Sequence, residues 1–118
     1  MQQKRLFWYK SKSGTKIVRD AIDTLSKTDK AIVGEDLWLA QLRFPKGAPT
    51  VKPLGSGLYE VRSSISDRRE YRCIFVYHAA ENALVIVHAF VKKSQKTPLH
   101  DLQLAKTRAI EVLTSQME

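Results

Sequence analysis

Two apolar runs constrain this chain more than any other feature: YRCIFVYH at 71–78 and ALVIVHAFV at 83–91, separated only by the short turn AAEN. Apart from Arg72 the first run is apolar on both faces, and the second is nearly all apolar. A strand of that kind belongs in the middle of a sheet, so these two are expected there. The segment before them, LYEVRSSI at 58–65, behaves differently. Tyr59, Val61 and Ile65 alternate with Glu60, Arg62 and Ser64, the period-two pattern of a half-buried strand with one polar face. SDRRE at 66–70 reads as the hairpin turn that joins it to the first apolar run.

The first half of the chain reads as helical, after a short strand KRLFWY at 4–9 that stops at the polar cluster KSKSG. Ile17, Val18, Ala21, Ile22 and Leu25 form the stripe of an amphipathic helix over roughly 14–27, with Ser13 or Thr15 as its cap. A second helix follows, capped by Thr28, with Asp29 in the first turn where the helix dipole favours an anion, and with Ile32, Leu39 and Leu42 along one face. The pair is expected to form a hairpin. RFPKGAPTVKPLGSG at 43–57 holds three prolines and three glycines and reads as a loop that separates helices from strands.

With 118 residues and no internal repeat, one domain over 1–118 is expected, large enough for a core without staples. Twenty Lys and Arg against twelve Asp and Glu give a net charge of +8, which suits a polyanionic partner such as nucleic acid, or an acidic protein. The lone Cys73 excludes an intrachain disulfide and fits a reduced compartment. The start MQQKRLFWYKSKSG has too short an apolar run for a signal peptide, and nowhere is the chain apolar enough to span a bilayer, so a cytoplasmic protein without a membrane is expected.

FVKKSQKTP at 90–98 runs an apolar strand straight into Lys92, Lys93 and Lys96. Thr97 suits an N-cap, Pro98 the first helical position and Asp101 the first turn. Leu102, Ala105, Ala109, Val112 and Leu113 then carry a helical face to the end. The lysines therefore sit at a strand-to-helix joint. There they are either a solvated strand end, since repulsion between exposed charges is mild, or an anion site fed by a rigid strand.

KPLGSGLYEVR at 52–62, YRCIFVY at 71–77 and VHAFVKKSQKTP at 87–98 resemble the linked motifs of the RelE/ParE toxin superfamily, in particular its HigB-like branch of phage-related toxins. KSGTKIVRDAIDTL resembles that family's first helix, so the likeness covers nearly the whole chain. It implies a small α+β fold: an N-terminal strand, a two-helix hairpin packed on a mainly antiparallel sheet of about four strands, and a C-terminal helix. It further implies the toxin of a type II toxin–antitoxin module, which enters the ribosomal A site, cleaves mRNA without cofactor or metal, and is neutralised by a helix-turn-helix antitoxin. An acidic segment of that antitoxin is the expected contact.

Metal-free RNA cleavage uses the 2′-OH as nucleophile. A site must help remove its proton, stabilise charge on the phosphate oxygens and protonate the leaving 5′-oxygen. Fixed cations in a partly dry cleft supply the second need, and arginine's fork matches phosphate oxygens bidentately. Carried over by motif, the resemblance implies Arg62, Arg72 and Lys93 as catalytic residues. Lys92, Lys96, Lys52 and Arg69 are expected to contact RNA. The last helix lacks the tyrosine that such toxins often place near the scissile phosphate, which leaves His100 and Lys96 as the nearest ionisable substitutes and the acid open. His88 and Tyr77 are read as core, and Trp8 and Trp38 as core or antitoxin contact, with core preferred. A ParE-like inhibitor of a topoisomerase, with this fold and no cleavage chemistry, is the alternative; clustering of Arg62, Arg72 and Lys93 on one concave surface favours the nuclease.

Overall fold

The structure, a computed structural model, describes residues 3–46, 50–93 and 96–115. Strand β1 (Arg5–Trp8) is followed by helices α1 (Ile17–Asp23) and α2 (Lys27–Arg43). Strands β2 (Val51–Gly55), β3 (Leu58–Ile65), β4 (Arg69–His78) and β5 (Ala83–Lys92) follow, and helix α3 (Leu99–Thr114) comes last. The strands form one sheet of five in the order β1-β5-β4-β3-β2. β1 runs parallel to β5 and every other pair is antiparallel. The two apolar runs are central, as their composition requires, and the fold is α+β.

The sheet has one strand more than expected. The proline-rich segment read as a loop contributes β2, which contains Pro53 yet pairs with β3. An edge strand tolerates proline because it pairs on one side only. Residues 47–49 of that segment lie outside the described residues.

Helix starts also differ from the sequence reading. α1 begins at Ile17 without a side-chain cap and spans 7 residues, shorter than the 14–27 stripe. α2 is capped by Ser26, not Thr28, and the Ser26 hydroxyl accepts the Asp29 amide at 3.1 Å. α3 is preceded by Pro98 at the N-cap, and Thr97 makes no cap. On α2 the buried face is Val33, Leu37 and Ala40, while Trp38, Leu39 and Leu42 are exposed, as is Leu113 on α3. Trp38 is therefore not core.

Each face of the sheet has its own cover. Val18 and Ile22 of α1 and Val33, Leu37 and Ala40 of α2 pack with Val61, Ile65, Tyr71, Cys73, Phe75, Leu84 and Ile86. Ala105, Ala109 and Val112 of α3 pack with Leu58, Ile74, Val76, Val85 and Val87 on the opposite face. Alternation along β4 explains its composition, because odd residues meet one helical layer and even residues the other. Among the described residues no helix is long and apolar enough to cross a membrane.

Candidate functional site

The α3 side of the sheet is apolar only as far as Ile74; beyond it the same face carries charge. Two backbone devices aim those charges. The first is the β3–β4 turn, where Asp67 and Arg68 take φ of 60° and 58° and the Arg69 amide donates to the Ser66 carbonyl at 3.2 Å. Paired positive φ values suit the right-handed twist of a hairpin. The resulting register sets Arg62 directly opposite Arg72 and Ser64 opposite Glu70. The second is an irregularity in β5, where Phe75 pairs with Ile86 but Ile74 pairs with His88. The extra residue switches the side-chain parity of the strand. Phe90 and Lys92 consequently lie opposite Arg72 and Glu70.

Together these place Lys52, Arg62, Arg72, Lys92 and Lys93 around a cavity of about 460 Å³, with Glu60 and Glu70 as its two carboxylates. Arg62 and Arg72 thus share one face and one cavity. Arg72 is buried, its Nη1 donating to Glu70 Oε1 at 3.1 Å and its Nε 3.2 Å from Glu60 Oε1. Glu60 is fully buried and also accepts from the Thr97 hydroxyl at 2.8 Å, with Lys92 Nζ 4.0 Å from its Oε1. Glu70 is half-exposed. Its carboxyl is held below the ordinary value first by the Ser64 hydroxyl, which donates at 2.7 Å, and then by the Arg72 guanidinium.

Of the other candidates, Lys96 and His100 are exposed at the joint and the start of α3 and do not line this cavity. Arg69 goes elsewhere: its parity on β4 is that of Tyr71, and it donates to Asp29 Oδ2 at 2.9 Å on the α2 side. Asp29 is buried there and also takes the Ser66 amide and hydroxyl at 2.9 and 2.8 Å. It fastens α2 to the β3–β4 turn rather than merely complementing a helix dipole. A larger cavity of about 620 Å³ lies beside this tie, but the Asp29 carboxylate in its wall is already taken by Ser66 and Arg69.

His88 is half-buried and belongs to neither core cluster, its Nε2 lying 2.6 Å from Asp101 Oδ1. Tyr77 is half-buried and packs against the core on Phe44 at 5.1 Å, its hydroxyl donating to Asn82. Residues 94 and 95 of the lysine-rich joint, and the chain end 116–118, lie outside the described residues. No group of three or more His, Cys, Asp or Glu among the described residues could hold a metal ion. Sequence reasoning missed Glu60, Glu70 and Thr97. The available signal was that Glu60 stands two residues from Arg62 on the polar face of one strand, an acid aimed where the base is aimed.

The fold is thus a small α+β sheet with one face half covered and a basic cavity in the uncovered half. The chain belongs to the phage-derived Gp49-like protein family, which matches residues 20–109. No curated protein matches the sequence.

Proposed function

We propose that this protein is the toxin of a type II toxin–antitoxin module and an endoribonuclease that cleaves mRNA in the ribosomal A site. The observation that supports this reading is the gathering of five cations and two carboxylates around one cavity. A phosphodiester carries one negative charge and gains more on its oxygens as the 2′-OH attacks. The Arg72 guanidinium, backed by carboxylates on two sides, is held in a fixed orientation, and a fixed charge needs no reorganisation as the reaction proceeds. Arg62, opposite it in the strand register, and the lysines at 92 and 93 complete a positive rim. Arg62 and Arg72 stabilise the phosphate oxygens; Lys93, at the exposed rim, meets the RNA backbone and in its neutral form takes the 2′-OH proton as O2′ bonds to phosphorus, and the P–O5′ bond breaks with the 5′-oxygen taking a proton from solvent. The basic surface is also what an acidic segment of a helix-turn-helix antitoxin would cover, with association that slows as salt rises. Such a protein acts in the cytoplasm.

The deciding experiment is primer extension on cellular mRNA after induction, comparing the protein with a variant carrying alanine at Arg62, Arg72 and Lys93. New 5′ ends within translated codons are expected for the first and not for the second. Growth arrest without new ends, accompanied by inhibited topoisomerase activity, would assign the ParE-like alternative.

A further inference from the structure

Glu60 is the residue at this site that the charge pattern leaves unexplained. It has no exposed surface, yet it lies at the floor of a cavity ringed by cations. It stands opposite Lys52 in the β2–β3 register, touches Arg72 of β4, approaches Lys92 of β5, and accepts the hydroxyl of Thr97 at the far end of the β5–α3 connection. The carboxylate therefore meets three separate pieces of chain, on β4, β5 and the β5–α3 connection. A buried ion pair is weak evidence of a stabilising role, because desolvation offsets most of the attraction. The geometry also argues against stability alone. Glu60 Oε1 and Arg72 Nε are 3.2 Å apart but too far off line to hydrogen bond, so both atoms are buried without one. Buried polar atoms are seldom left so, and each exception asks for a reason. Oε1 lies between Arg72 Nε at 3.2 Å and Lys92 Nζ at 4.0 Å, while Oε2 accepts from Thr97.

We propose that Glu60 is a positioning residue: through Oε1 it sets the orientation of Arg72 and Lys92, and through Oε2 and Thr97 it fixes the end of the connection that carries the remaining lysines. This rests on reading the cavity as a phosphodiester-cleaving site. Glu60 lies beneath the cations and does not itself touch RNA. Its effect belongs to the transition state, where a small misplacement of a fixed charge matters, more than to binding, to which the exposed Lys52 and Lys93 contribute independently of Glu60.

Thr97→Val removes the hydroxyl bond to Glu60 and keeps the shape, and Thr97→Ser restores the hydroxyl. In cleavage of ribosome-bound mRNA, Thr97→Val is expected to lower kcat about 10-fold with KM within about threefold, and Thr97→Ser to recover most of it. Glu60→Gln is expected to lower kcat about 100-fold or more. Should Glu60→Gln fail to fold, the Thr97 pair decides. Full activity in folded Thr97→Val overturns the proposal. A second readout separates this inference from the nuclease reading: the NMR resonance of the Arg72 Nε–H is expected to move in Thr97→Val and return in Thr97→Ser. A resonance that stays in place overturns the positioning role even in an active nuclease. A resonance that moves in a protein that cleaves no RNA supports the arrangement and removes only the nuclease reading.

Discussion

Odd residues of β3 and β4 face α1 and α2; even residues face α3. On the first face the run from Tyr59 to Phe75 is continuous with the helices, and aromatic rings fill it: Phe44 meets Tyr59 at 4.9 Å and Phe75 at 5.4 Å, both edge to face. On the second, α3 covers Leu58, Ile74 and Val76 and stops, and the next residues on the same strands are Glu60, Arg62, Glu70 and Arg72. The same alternation thus produces a closed layer on one side and an open, charged one on the other. What separates them is the reach of the covering helix. A rigid strand whose buried end is fixed by packing delivers its uncovered end to a fixed place, which is what an electrostatic site requires.

If the closed face carries stability and the open face function, substitutions should separate the two. The largest effect is expected from Phe75→Ala, since Phe75 is fully buried among rings and its loss leaves a cavity. A drop of about 4 kcal/mol in unfolding free energy, read by chemical denaturation, is expected. A loss under 1 kcal/mol would mean that the aromatic layer collapses around the gap and that the contrast between faces is overdrawn.

Lys93→Ala addresses the open face. Lys93 is exposed at the cavity rim, so its removal should change stability by no more than about 0.5 kcal/mol. Cleavage should nevertheless fall about 100-fold or more. A variant that remains fully toxic and cleaves the same codons would return the lysine run to a solvated strand end and shift the chemistry onto Arg62 and Arg72.

The two faces were not equally legible in the sequence. Central strands, the polar face of β3 and the convergence of Arg62 with Arg72 followed from period-two alternation and one hairpin turn, both local signals. The parity change in β5 did not, because an extra residue in a uniformly apolar run leaves no mark in hydrophobicity; it brings Lys92 onto the face of Arg72, while Lys93 sits at the rim. Strand β2 was hidden by its proline, which is a poor guide at a sheet edge. Arg69 looked like one more surface cation, and only the tertiary fold shows that its partner is Asp29, forty residues earlier in the chain.

Asp29 offers a test of how firmly the closed face holds the turn that sets the register of the open one. Its carboxyl is held below the ordinary carboxylate value, first by the Ser66 amide and then by the Ser66 hydroxyl, with Arg69 adding to the effect. A depressed folded-state value means that the stabilisation is present above the unfolded carboxylate range, near pH 4, and is lost as pH falls through the folded value. Thermal unfolding across that acid range should show a loss that Asp29→Asn flattens, with the variant's melting temperature lower by roughly 5–10 °C at neutral pH. Equal pH slopes in the two proteins would show that the turn is held by its backbone alone.

The smallest effect is expected at the turn itself. Arg68 is exposed and holds a φ of 58°, a region that costs a residue with a side chain roughly 1–2 kcal/mol and glycine almost nothing. Glycine loses about 0.5–1 kcal/mol of that advantage through the greater freedom of its unfolded chain. Arg68→Gly should therefore stabilise the protein by about 0.5 kcal/mol, visible as a small rise in denaturation midpoint with an unchanged slope. Arg68 does not line the basic cavity, so cleavage should stay within about twofold of the parent. A fall in ribosome-dependent cleavage without any loss of stability would instead extend the functional surface past the rim to the hairpin tip, where the arginine would be gripping RNA backbone, and the boundary between the two faces would have to be drawn one turn further out.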